Sequence, residues 1–113
     1  MNIQHKELAA GKWNNLTFCE QMANIGSEVE RAISWNKKNN LEYARLAFER
    51  ALELLDLTLS DRRNGLRLRE LARLREVLAD SFAFDNVYNS TDKNWHNYFF
   101  AFNYAARVSH SSA

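Results

Sequence analysis

No proline interrupts this chain, and its three glycines stand far apart, at positions 11, 26 and 65. Proline and glycine are the strongest local breakers of regular structure. A chain of 113 residues with so few of them favours long, unbroken helices over a turn-rich β fold. Its 46% hydrophobic and 26% charged residues suit a single globular domain with a real core rather than a disordered chain.

Hydrophobic spacing divides the chain into an arm and four helices. Residues 1–12 are polar, end at Gly11 and read as a flexible arm; 13–109 read as the domain and 110–113 as a frayed tail. The string Thr17-Phe-Cys-Glu20 is a capping box. Phe18, Met22, Ile25, Val29, Ala32 and Ile33 then recur at three- and four-residue steps. Gly26 at the edge of that stripe costs helix propensity, so it is expected to admit a close neighbour. Lys37 to Asn40 break the pattern, and Asn39 or Asn40 can cap the next helix.

The second helix, about 41–59, is expected to face inward with Leu41, Ala44, Ala47, Phe48, Ala51, Leu52, Leu55 and Leu59. Asn64-Gly65 suits a left-handed turn. The third helix, about 66–82, turns Leu71, Leu74, Val77, Leu78 and Phe82 inward, with Arg69, Arg73, Glu76 and Asp80 opposite. The fourth, about 92–108, presents Trp95, Tyr98, Phe99, Phe102, Ala105 and Ala106 on one face. Four such helices joined by short polar turns predict an all-α, antiparallel up-and-down four-helix bundle.

Composition excludes more functions than it suggests. A net charge of +1 provides no bulk attraction to nucleic acid or anionic membrane. No run approaches the roughly 20 apolar residues of a membrane helix. The N-terminus lacks the apolar segment of a secretory signal, so a cytoplasmic location is expected. Cys19 is the only cysteine, which leaves no intrachain disulfide or thiolate cluster. No glycine-rich phosphate loop exists. His5, His96 and His110 have no glutamate three positions before them, and Glu28, Glu49, Glu53 and Glu76 are expected on outward faces. Neither a metal site of the carboxylate-bundle type nor a cofactor is expected.

The polar segment from Asp85 to Asp92 contains material for catalysis in Asp85, Ser90 and His96, with Asp92 as a further acid. It shows no nucleophile elbow. The plainer reading is a hinge in which Ser90 or Thr91 caps the fourth helix, Asp92 favours its dipole, and Tyr88 and Trp95 close one end of the core. Arginines cluster from Arg62 to Arg75 but do not share one face. Arg62, Arg63, Arg69 and Arg73 remain candidates for an anion or nucleic-acid contact, although a phosphate-tracking surface wants one sign on one face. Glu70 reads as a half-buried carboxylate paired with Arg31 or Arg45.

Large apolar side chains off the stripes are the informative remainder: Trp35, Leu46, Leu57, Phe100 and Tyr104. Interfaces favour such residues, and a two-fold helix-on-helix contact would bury them. The expectation is a non-enzymatic interaction module that self-associates, with a dimer favoured. The competing arrangement is a wider core covered by the arm and residues 83–91, with Trp13 and Leu16 contributing.

The strings GSEVERAI, AFERALELLDLTLSD and LRELARLREVL together resemble a family of small prokaryotic helical proteins without an assigned function. That resemblance spans residues 16–108 and implies a bundle but no mechanism. More distantly, the helix lengths are similar to the HEPN bundles, which accompany nucleotidyltransferases or cut RNA. This implies an alternative role as a nucleotide- or RNA-binding accessory protein using the arginine-rich third helix. Active HEPN members carry an arginine four to six residues before a histidine. Positions 90–92 and 104–106 hold no arginine, and Arg107 is too close to His110, so nuclease activity is not expected.

Overall fold

A computed structural model describes residues 11–83, 86 and 88–111, with side chains through 108. These residues are helical wherever they are regular. A 3-10 turn, Lys12–Asn15, precedes α1 (Phe18–Lys37) and α2 (Leu41–Ser60). A second 3-10 segment, Arg62–Arg67, leads into α3 (Leu68–Ala83), and α4 (Asp92–Ser111) follows. The expected arm falls mostly outside the described residues, as do Asp85 and the last two positions of the tail. No described helix is long and apolar enough to cross a membrane.

The helix ends follow from side-chain chemistry. The Thr17 hydroxyl accepts from the Glu20 amide while Glu20 accepts from the Thr17 amide, completing the expected capping box. At the far end of α1, Asn39 takes a left-handed φ of 59°. The Asn40 amide then reaches the Trp35 carbonyl at 2.9 Å and the Asn39 amide reaches Asn36 at 3.1 Å. This pair of bonds is a Schellman closure. Asn40 also caps α2 by accepting from the Tyr43 amide. One short turn thus stops a helix and starts the next.

The second turn departs from expectation. Asn64 has φ −93° inside a 3-10 segment, and left-handed backbone occurs instead at Gly11, Asn39, Asn86 and Asn89. Asn64 is buried, and its amide group donates to the Gln21 side chain and the Thr58 carbonyl, each at 3.0 Å. Those bonds hold the segment in a helical course.

The helix α1 is central, packing on α2 and on α4, while α2 carries α3. Gly26 permits the close approach to α4: a Cβ placed there would lie 2.8 Å from Cβ and Cγ of Phe99. The core joins Met22, Ile25, Val29 and Ile33 to Ala51, Leu54, Leu55, Leu71, Leu74, Leu78, Trp95 and Phe99. The Phe48 and Phe82 rings stack at 5.7 Å between α2 and α3.

Three placements correct the sequence reading. Leu41 is 66% exposed and Leu54 is buried instead, because Leu41 opens α2 at the margin of the core. Glu28 is buried rather than outward: α2 closes over it, Arg31 meets it at 2.7 Å, and Arg50 stands 3.9 Å away. Asp80 is also buried, since the loop after α3 folds back and the Tyr88 amide donates to its carboxylate at 3.1 Å.

A polar clamp locks the start of α1 to the turn after α2. The Trp13 indole donates to the Thr58 hydroxyl at 3.0 Å. Gln21 donates to the Trp13 carbonyl and to Asp61. Arg63 binds Asp61 through its guanidinium at 2.6 Å and its backbone amide at 3.0 Å, and donates to the Leu16 carbonyl at 2.7 Å. The Arg63 hydrogen bonds hold the Asp61 carboxyl well below the usual carboxylate range; Gln21 adds to this, and burial opposes it.

That depression links the clamp to pH. The stabilisation is present above the unfolded-state value of about 3.9 and is lost as pH falls through the lower folded-state value. Urea midpoints measured from about pH 6 to about pH 2 should therefore fall in the wild type. Asp61→Asn should be weaker at the upper end and flatter across the range. Parallel curves would show that Asp61 does not carry the acid sensitivity.

Candidate interaction surface

The outward face of α4 carries large side chains that the core does not use. Phe100 is 61% exposed and Tyr104 60% exposed. Four residues apart, they lie one turn above another on the same face. Val108, one further turn along, is also exposed and extends the line; its spacing from Tyr104 was visible in the sequence. Opposite this line, Trp95, Phe99 and Ala106 face the core. The helix is therefore apolar on two sides, one covered and one open.

The other off-stripe residues are divided between two jobs. Trp35 is half-buried, with Tyr43 edge-on at 4.9 Å and the Lys38 ammonium 5.1 Å above its ring. Leu46 is half-buried on α2. Leu57 packs against the main core. Only Phe100 and Tyr104 among the five expected interface residues are broadly exposed.

The arginines are similarly dispersed. Arg63 belongs to the clamp, Arg67 lies 4.1 Å above the Phe18 ring, and Arg75 pairs with Asp56 at 2.9 Å. Arg73 stands over the Tyr88 ring at 5.3 Å, while Arg62 and Arg69 are exposed. Glu70 accepts from the Tyr98 hydroxyl at 3.2 Å. Its expected partners are engaged elsewhere, Arg31 with Glu28 and Arg45 with Glu49.

No family model, curated protein or solved structure matches this chain. Its chemistry therefore rests on its own geometry. Among the described residues, no group of three or more His, Cys, Asp and Glu side chains is placed to hold a metal.

The segment before α4 is organised by capping. Asn86 accepts from the Ser90 amide and donates to its carbonyl. Thr91 and Asn94 exchange side-chain-to-amide bonds at 3.0 and 3.1 Å, which makes Thr91 the cap. His96 is drawn to Glu30 on α1, and Asp92 to Lys37. Both thus pair with charged groups of α1, while Ser90 stays with the loop. Trp95 is buried, whereas Tyr88 is 43% exposed and donates its hydroxyl to Glu76.

Alongside this segment, α3 and α4 leave a cleft of about 510 Å³, bordered by Leu74 and Val77 on one side and Trp95 and Tyr98 on the other. The Tyr98 phenol is raised well above its ordinary value, chiefly by burial and then by the Glu70 charge. It remains a hydrogen-bond donor through the neutral range. The Tyr88 phenol is also raised, through its bond to Glu76.

Proposed function

We propose that the chain is a non-enzymatic, cytoplasmic interaction module that self-associates as a dimer through the outward face of α4. The exposed Phe100 and Tyr104, aligned one turn apart, carry this reading. Exposed apolar groups in a continuous patch mark association sites, and aromatic rings supply much of the energy at interface centres. A two-fold contact of one α4 on another would bury the same residues from both copies. The bundle that presents α4 is proposed to be antiparallel and up-and-down. Contacts from Lys37 to Asp92, from Gly26 to Phe99 and from Phe18 to Phe102 support that order for α1 and α4.

Light scattering at several protein concentrations tests the reading. The wild type should show twice the chain mass, and Phe100→Glu/Tyr104→Glu should run as a monomer with unchanged helix content. Both substitutions fall on exposed positions, where folding effects are usually within about 0.5 kcal/mol. A wild type that is monomeric throughout, or a double variant that keeps the dimer mass, would refute it.

A further inference from the structure

The cleft between α3 and α4 falls within the roughly 300–1,000 Å³ of small-molecule sites, and it combines aromatic rings with polar side chains. Leu74, Val77 and Trp95 line it with apolar surface, together with the Tyr88 and Tyr98 rings. Of its polar groups, the Tyr98 hydroxyl already donates to Glu70. Three further side chains on its border can donate: Arg73, Ser90 and Asn94. Asn94 uses its carbonyl oxygen to accept from the Thr91 amide, so its amino group is the part left to donate. Ser90 and Arg73 border the same cleft. The first turn of α4 also begins here, with the positive end of its dipole. Its acidic residue, Asp92, is drawn toward Lys37 on α1.

We propose that this cleft binds a planar aromatic carboxylate. The ring is seated among Trp95, Tyr98 and Tyr88, and the anionic group meets Ser90, Asn94 and Arg73. Offset or edge-on contacts with the cleft rings recognise a flat aromatic body. Arg73, now over Tyr88, supplies the planar, charge-assisted donor pair that a carboxylate fits. Glu70, which holds the Tyr98 hydroxyl, disfavours a pose that places the carboxylate beside that phenol. This site is distinct from the outward face of α4 and does not depend on self-association.

Three probes of one shape test it: 2-naphthoate, neutral 2-naphthol and 2-naphthylmethylammonium. Binding is followed by the Trp95 indole N–H resonance in labelled protein, assigned against Trp13→Phe and Trp35→Phe. The naphthoate should shift that resonance saturably and bind more tightly than the other two. Arg73→Leu should weaken naphthoate by about tenfold or more, the scale of a lost hydrogen bond to a charged group, and leave naphthol unchanged. Asn94→Asp retains the oxygen that accepts from Thr91, so α4 still has its cap, yet it places a negative charge where the carboxylate should sit. It should abolish naphthoate binding with helix content intact. An absent or unsaturable shift, equal binding of the ammonium probe, or wild-type affinity in both variants would overturn the proposal.

Discussion

Trp13→Ala should destabilise the fold by about 3–5 kcal/mol, the range for removing a large aromatic side chain from a packed interior. Trp13 lies before α1 in a short 3-10 turn, yet it is only 1% exposed. Its ring is part of the main core, and its indole donates to Thr58, whose hydroxyl in turn donates to the Leu54 carbonyl at 2.8 Å. Truncation leaves a cavity and removes the clamp's donor together. Trp13→Phe separates the two effects: it keeps most of the volume and loses about 1 kcal/mol for the hydrogen bond. Urea midpoints of both variants measure the difference. A loss below about 1 kcal/mol for the alanine variant would mean that the turn is a loosely held appendage.

Gly26→Ala should also destabilise, by about 1–3 kcal/mol, although alanine is the better helix former by up to about 1 kcal/mol. The added methyl would fall 2.8 Å from Cβ and Cγ of Phe99. Those atoms are the base of the ring side chain, so a rotation of the ring end cannot clear them. Relief requires α4 to move away from α1, which loosens the packing of Phe99 and Trp95 against the core. In a double-mutant cycle, Phe99→Gly, which removes both contacting atoms, should remove the penalty of Gly26→Ala, giving strong non-additivity. Additive losses, or a more stable alanine variant, would show that the two helices do not depend on this approach.

Local signals were the most legible part of the fold. The Thr17 and Glu20 pair marked the start of α1, and the Asn39-Asn40 pair marked the start of α2, where Asn40 proves to be the cap, because each satisfies backbone donors within its own turn. Gly26 could be read as a close approach because a glycine inside an apolar stripe has few other uses. Positions whose burial depends on a neighbouring element were harder. Glu28 looked outward until α2 was placed over it, and Asp80 until the loop carrying Tyr88 returned across it. Trp13 carried no periodic context, so its place in the core could be read only as one of two competing arrangements. The line of Phe100 and Tyr104 was readable as a leftover of helical spacing. The cleft was not, since it depends on how far apart α3 and α4 stand.

The central place of α1 also has a consequence for the order in which the chain leaves a ribosome. The first three helices can pair with sequence neighbours as they emerge, α2 on α1 and then α3 on α2. The face of α1 that bears Gly26 must wait for Phe99. Chain elongation at roughly 5–20 residues per second makes that wait last on the order of seconds. During this interval Met22, Ile25 and Val29 present a bare apolar flank, open to a chaperone or to another nascent copy. Slow translation between α3 and α4 would lengthen that exposure and raise the risk of misassembly without altering the finished protein at all.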